Sequence, residues 1–193
     1  RFNGNEEEII NKAVAEIEDG GIAGVVVNTV KRAQDLARLV PANIEVLLLH
    51  SAYLAPEREK IEERLQANIG KDATRPKKMI VIGTQVLEQS LDIDFDVLFT
   101  DIAPMDLIIQ RIGRLHRHKI SRPIHLAKPT VYITGINSYG DYDEGNEFIY
   151  EKYLLMKTDH FLTDKINIPK DVSPLVQQVY DPNVDKDIKD ISD

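Results

Sequence analysis

VIGTQVLEQSLDIDFDVLFTD, residues 81–101, holds two apolar runs separated by a polar turn. The first run, MIVIG, stops at Gly83 with Thr84 behind it; the second, FDVLFTD, stops at Asp101. Between them QVLEQSL has the spacing of a short helix, followed by Leu91-Asp92-Ile93-Asp94. Apolar runs of this kind need cover on both faces, which a parallel sheet between helix layers provides. The flanking sequence repeats the pattern. NEEEIINKAVAEIED (5–19) predicts a helix capped by Asn5 with Glu8 three residues on, its apolar face being Ile9, Ile10, Ala13, Val14 and Ile17. AGVVVN (23–28) is a buried strand, and Thr29 caps a helix, TVKRAQDLARLV, that Pro41 closes. EVLLLH (45–50) is a second strand. APEREKIEERLQANIG (55–70) is an amphipathic helix with Gly70 where a left-handed cap belongs. Downstream, PMDLIIQRIGRLHRH (104–118) starts a helix on proline, and TVYIT (130–134) is a fifth strand. Residues 1–135 are therefore expected to form one doubly wound α/β parallel sheet with helices on both faces.

Residues 136–193 change character. GINSYGDYDEGN is a polar loop and EFIYEKYLLMK an aromatic-bearing helix, so this part reads as a linker or helical extension that docks on another part of a larger protein. The last thirteen residues, DPNVDKDIKDISD, predict an acidic mobile tail from about 181. The chain's 193 residues carry a net charge of −8 and no cysteine, which excludes a disulfide framework and a thiolate site and suits a cytoplasmic location. No apolar run approaches the ~18–20 residues that span a bilayer, so no membrane partner is expected. The opening RFNGNEEEII reads as the interior of a longer chain. An acidic balance argues against general coating of nucleic acid, yet residues 104–128 hold six Lys/Arg against one acid, Asp106.

Several chemistries are absent. The Gly-Lys pair at Gly70-Lys71 is followed by Asp72 and has no glycine at 65, so no phosphate loop exists. Asp143-Glu144 lacks the preceding strand of a magnesium-binding acidic box, and no G-x-S-x-G occurs. Asp159-His160 reads as a stray surface pair. His116 and His118, ~200° apart on a helix, do not share a metal. No metal site is expected.

What remains is QRIGRLHRH, residues 110–118. On a helix Gln110, Gly113, Arg114 and Arg117 share one face, opposite Ile108, Ile112 and Leu115. Gly113 permits close approach, and two guanidiniums a turn apart can grip a polyphosphate. The competing reading is a solvated basic face. Gly83-Thr84 offers a backbone N–H and a hydroxyl suited to a phosphate, and Asp92 can accept from ribose hydroxyls; helix capping and a plain turn are their alternatives. Open parallel sheets bind ligands beyond the strands' carboxyl ends, where Asn28, Thr29, His50, Ser51, Gly83, Thr84 and Asp101 fall. Arg111 and Lys119 are expected to face solvent or DNA.

Taken in order, VVVNTVKRAQDLA, LLLHS, GTQVLEQSLDID and QRIGRLHRH resemble the motifs of the second RecA-like lobe of superfamily 2 helicases. The wording of residues 79–118, with Glu88-Gln89-Ser90 before Leu91-Asp92, is most similar to the CRISPR-associated helicase–nuclease of type I systems; the likeness is looser over 25–65 and slight after 136. The resemblance implies a RecA-like fold and a motor that moves 3′ to 5′ along single-stranded DNA. It implies that Arg114 and Arg117 are arginine fingers, and that Gln110 positions the γ-phosphate or the attacking water. Asp92, Gly113 and Gln89 would meet the nucleotide. Asn28, Thr29, His50, Ser51, Gly83 and Thr84 would meet the DNA backbone. Ala52 stands where relatives often carry a basic residue, which weakens a charged contact there. The implied cofactor is ATP with Mg²⁺, held mainly by a first lobe. The implied partners are that lobe and a nuclease domain of the same protein, and the RNA-guided surveillance complex Cascade. Lacking a phosphate loop, this chain alone is expected to be inactive. The alternatives are a lobe of another superfamily 2 RNA or DNA helicase, and a non-catalytic RecA-like binding module.

Overall fold

Ile22, Ala23, Val25 and Val26 are almost fully enclosed because their strand lies at the centre of a sheet covered on both sides. The computed structural model describes residues 1–89 and 91–188. Five strands, β1 (Gly21–Val26), β2 (Glu45–Leu49), β3 (Lys78–Gly83), β4 (Val97–Asp101) and β5 (Val131–Thr134), form one sheet in the order β2-β3-β1-β4-β5. Every pairing is parallel, with Ile22 opposite Met79 and Gly24 opposite Leu98. One face packs Ala23, Val25, Ile80, Ile82 and Phe99 against α1 (Glu6–Glu16) and α2 (Val30–Leu39). The other packs Ile22, Val26, Met79, Val81 and Leu98 against Leu65 and Ile69 of α3 (Ala55–Ile69) and against Leu87, Phe95 and Leu115. Burial on both faces is why the strands read as unbroken apolar runs. The local signals hold where they are local. Asn5 and Glu8 close a capping box at 2.9 and 2.8 Å, and the Thr29 hydroxyl accepts from the Arg32 N–H.

Four expectations change. First, the helix begun at Pro104 does not reach 118: α4 is Met105–Ile112, and Gly113 ends it. Leu115 instead pairs with Phe95 as a parallel bridge, with Phe95 N–H donating to the Arg114 carbonyl and His116 N–H to the Phe95 carbonyl. His116 turns the chain with a φ of +50°, a left-handed conformation that side chains rarely adopt. Second, QVLEQSL forms only a single 3-10 turn, Gln85–Leu87; Ser90 lies outside the described residues. Third, Gly70 is extended rather than left-handed. It is needed because a Cβ there would sit 2.4 Å from the Gln66 carbonyl. Fourth, the helix expected over 147–157 is two, α5 (Glu144–Ile149) and α6 (Lys152–Phe161), broken at Tyr150.

The extension folds back on the same domain rather than reaching away. A small hairpin, β6 (Ile136–Ser138) with β7 (Asp141–Tyr142), leads to α5 and α6. Leu155 and Met156 then pack on Ile102, Ala103 and Ile108, and Leu175 and Val179 of α7 (Val172–Tyr180) pack on Met105. The first part of the acidic run, expected to be mobile from about 181, is in contact with the domain. Buried Lys157 donates to the Asp181 carbonyl and to Asp185, each at 2.7 Å, and Tyr153 also holds Asp185. The remainder of the acidic run, 189–193, lies outside the described residues. Asp159 is not a surface residue: it is enclosed, ion-paired to Arg1 at 2.6 Å and bonded to Tyr142. No described helix is long and apolar enough to cross a membrane.

Candidate functional site

The residues singled out from the sequence fall into two groups. The first lies at the carboxyl edge of the sheet. Gly83 ends β3 so close to β2 that a Cβ would stand 2.4 Å from the Leu49 carbonyl. Thr84 is buried, and among the described residues its hydroxyl has no hydrogen-bond partner and caps no helix. His50 is buried, its ring stacked 4.2 Å from that of Tyr53 and its Nδ1 unpartnered. Ser51 is exposed and Thr29 half-buried. Asn28 does not present its side chain to a ligand. Its Nδ2 donates to the Ile102 carbonyl at 2.8 Å and to Asn146 at 2.7 Å, and its Oδ1 accepts from Arg111 at 2.9 Å.

The second group gathers where residues 88–96, running into the amino end of β4, meet the turn after α4. Arg117 Nε donates to Asp92 at 2.5 Å, and His118 Nε2 lies 3.0 Å from the same carboxylate oxygen. These two partners hold the Asp92 carboxyl down at about 2. Arg114 is half-buried: one terminal nitrogen donates to the Glu88 carbonyl at 2.8 Å, while its Nε has no partner among the described residues. Burial and the neighbouring Arg117 charge both press its pKa downward. Gln89 and Gln110 are exposed. Gly113 and Arg117 border an open cavity of about 1100 Å³ floored by Ile112, Leu115 and Val131. The expected single helical stripe is thus replaced by a helix end and a turn, with Arg117 placed beside Asp92 by the left-handed step at His116.

Arg111 was expected to face solvent or DNA. It is instead 1 % exposed, with Nε on Glu88 at 2.6 Å and its terminal nitrogens on Thr100, the Asp101 carbonyl and Asn28. Asp94 and Asp96, both buried, are each bound by Arg75 and Arg122. Three of the six cations of 104–128 are therefore matched by acids: Arg111 by Glu88 and Arg122 by Asp94 and Asp96 inside the domain, and Arg117 by Asp92 at the surface. The alternation of Asp92, Asp94 and Asp96 with buried Ile93, Phe95 and Val97 is the sequence signal that foretells this pairing. No cluster of three His, Cys, Asp or Glu suited to a metal ion exists among the described residues.

His50 and His116 are both held below the ordinary imidazole range, chiefly by burial. The unfolded chain then takes up protons that the folded chain refuses as the pH drops through about 6.5, so each histidine stabilises the fold above that pH and loses this contribution below it. His116→Asn keeps a residue tolerant of the left-handed backbone. Between pH 7.5 and 5.5 its urea midpoint is expected to fall less than that of the unsubstituted domain. Parallel pH curves would show that His116 titrates alike in both states.

Five parallel strands in this order, with helices on both faces, make a RecA-like fold. Residues 19–120 match the family described as CRISPR-associated nuclease/helicase Cas3, C-terminal. The chain belongs to that family and is its C-terminal helicase lobe. It is 51% identical over 182 residues to the CRISPR-associated nuclease/helicase Cas3 of Streptococcus thermophilus, covering 93% of this chain and 20% of the relative. Among solved structures, T. fusca Cas3-AMPPNP superposes with a TM-score of 0.84 at 30% identity, covering 97% of this chain and 23% of that one. A chain of a CRISPR RNA-guided surveillance complex, pre-nicking, does so with a TM-score of 0.81 at 28% identity, covering 96% and 24%. The chain thus spans about a fifth of the length of the relatives it matches.

Proposed function

We propose that this domain is the second motor lobe of an ATP-dependent single-stranded-DNA translocase of type I CRISPR interference, and that Arg114 and Arg117 are its arginine fingers. The observation that carries the reading is the state of those two side chains. Among the described residues Arg117, 43% exposed beside an open cavity, has one acidic partner, and Arg114 keeps a buried Nε without a partner. Both retain donors for the oxygens of a polyphosphate, which the guanidinium fork suits. ATP, when bound, supplies the phosphoryl group that passes to water, and Mg²⁺ offsets its charge. Arg114 and Arg117 bring positive charge to the transferring group from this side, Gln110 orients the attacking water, and Gln89, Asp92 and Gly113 border the nucleotide. Mg²⁺ is assigned to the first lobe, as the resemblance implies.

At the carboxyl edge, exposed Ser51, half-buried Thr29 and the backbone at Gly83-Thr84 contact the DNA backbone. Asn28 and His50 act beneath that surface by fixing it. The relatives' names support this assignment: one is solved with AMPPNP and one within an RNA-guided surveillance complex. The partners are accordingly single-stranded DNA, the first RecA-like lobe and nuclease domain of the same protein, and Cascade, in the cytoplasm. The test uses phosphate release. Residues 1–193 alone are expected to hydrolyse no ATP, and hydrolysis stimulated by single-stranded DNA is expected once the first lobe is supplied. Helicase-like turnover by the isolated domain would refute the assignment.

A further inference from the structure

Arg114 reaches the carbonyl of Glu88, and the side chain of Glu88 is held by Arg111. These contacts belong to a closed ring. Gln85 Nε2 donates to the Asn28 carbonyl at 3.1 Å, and Glu88 N–H donates to the Gln85 carbonyl at 3.0 Å. Arg111 Nε donates to Glu88 at 2.6 Å, and another Arg111 nitrogen returns to Asn28 Oδ1 at 2.9 Å. The ring therefore joins the end of β1, the turn after β3 and the last turn of α4, and the branch that leads to Arg114 is the Glu88 carbonyl. Arg111 is further pinned to β4 through Thr100 and the Asp101 carbonyl.

We propose that Arg111 and Glu88 are positioning residues for ATP turnover, acting through Arg114, and that they tie its guanidinium to the strand-end segments Asn28-Thr29 and Thr84-Gln85. This rests on the reading of Arg114 as an arginine finger. Two physical arguments carry it. A buried ion pair is an expensive way to fill space, since an apolar pair of the same volume is often as stable or more so; what the pair supplies is a fixed geometry. And the only covalent path from Asn28 to Arg114 runs through 85 residues, whereas the hydrogen-bonded path crosses only Arg111 and Glu88. A shift of the 84–88 turn thus moves the Arg114 anchor directly.

The experiment uses the full-length protein with ATP and single-stranded DNA. Glu88→Gln keeps the side-chain shape and removes the charge. It is expected to lower kcat by about 100-fold, the scale of a ~1 Å misplacement, with the KM for ATP within about two-fold. The deciding readout is a double-mutant cycle. Added to Arg114→Ala, Glu88→Gln is expected to change kcat by less than about three-fold, because the group it positions is gone. An equal loss in both backgrounds overturns the positioning role and leaves the finger assignment standing. An Arg114→Ala protein with unimpaired turnover overturns both. Should circular dichroism show Glu88→Gln misfolded, Arg111→Lys replaces it in the same cycle: it keeps a buried cation but cannot reach all four acceptors.

Discussion

Arg117→Ala is expected to cut DNA-stimulated ATP hydrolysis by the full-length protein about 10³–10⁵-fold, the scale of arginine-finger losses in other nucleotide hydrolases. The fold is expected to stay intact, because Arg117 makes one side-chain bond, to Asp92, and the two side chains are 43% and 46% exposed. Exposed pairs of this kind contribute little to stability. Asp92 has a further part in the result. Its carboxyl, held at about 2 by Arg117 and His118, is charged at any working pH, so it can pair with Arg117 throughout that range. Their hydrogen bond sets the guanidinium beside the cavity that Arg117 borders. Arg117→Lys is expected to restore little, because a lysine cannot present two parallel donors to phosphate oxygens. Thermal melts run beside the phosphate-release assay separate lost chemistry from lost structure. Wild-type turnover by Arg117→Ala with saturating single-stranded DNA would remove Arg117 from the mechanism.

The reason Arg117 and Arg111 differ so sharply was not legible in the sequence. Strands and caps were, because Asn5 with Glu8, Thr29, and the apolar run from Val81 to Gly83 act through neighbours a few residues away. The helix end was not. The apolar spacing of Ile108, Ile112 and Leu115 continues a helical stripe, and Leu115 is indeed buried. It reaches the core, however, through backbone pairing with Phe95, a contact across 20 residues that no local pattern encodes. Arg111 was misjudged for a related reason. A charged residue beside other charged residues suggests solvent, and only the approach of Glu88, Thr100 and Asn28 from three other segments provides acceptors enough to bury it. The resemblance singles out Arg114 and Arg117; the residues that contact them, Glu88 and Asp92, reach them only through tertiary structure.

The acids opposite QRIGRLHRH sort by burial, and stability measurements should sort them in the same way. Asp96→Ala is expected to destabilise the domain by about 3–5 kcal/mol, the cost of breaking a buried pair from one side. Asp96 accepts from Arg75 at 2.8 Å and from the Ile22 N–H at 2.7 Å, and also binds Arg122. Its removal leaves two arginines sharing Asp94 alone and strips the partner from a backbone donor at the start of the central strand. An enclosed N–H without a partner is costly in its own right. Asp92→Ala, two turns of the same alternation away, removes a carboxylate that water already reaches, and its midpoint is expected to stay with that of the wild type. Urea denaturation of residues 1–193 compares the two, with an unchanged slope showing that midpoint reports stability. Equal shifts from both substitutions would mean that the 94–96 charges are as solvated as Asp92.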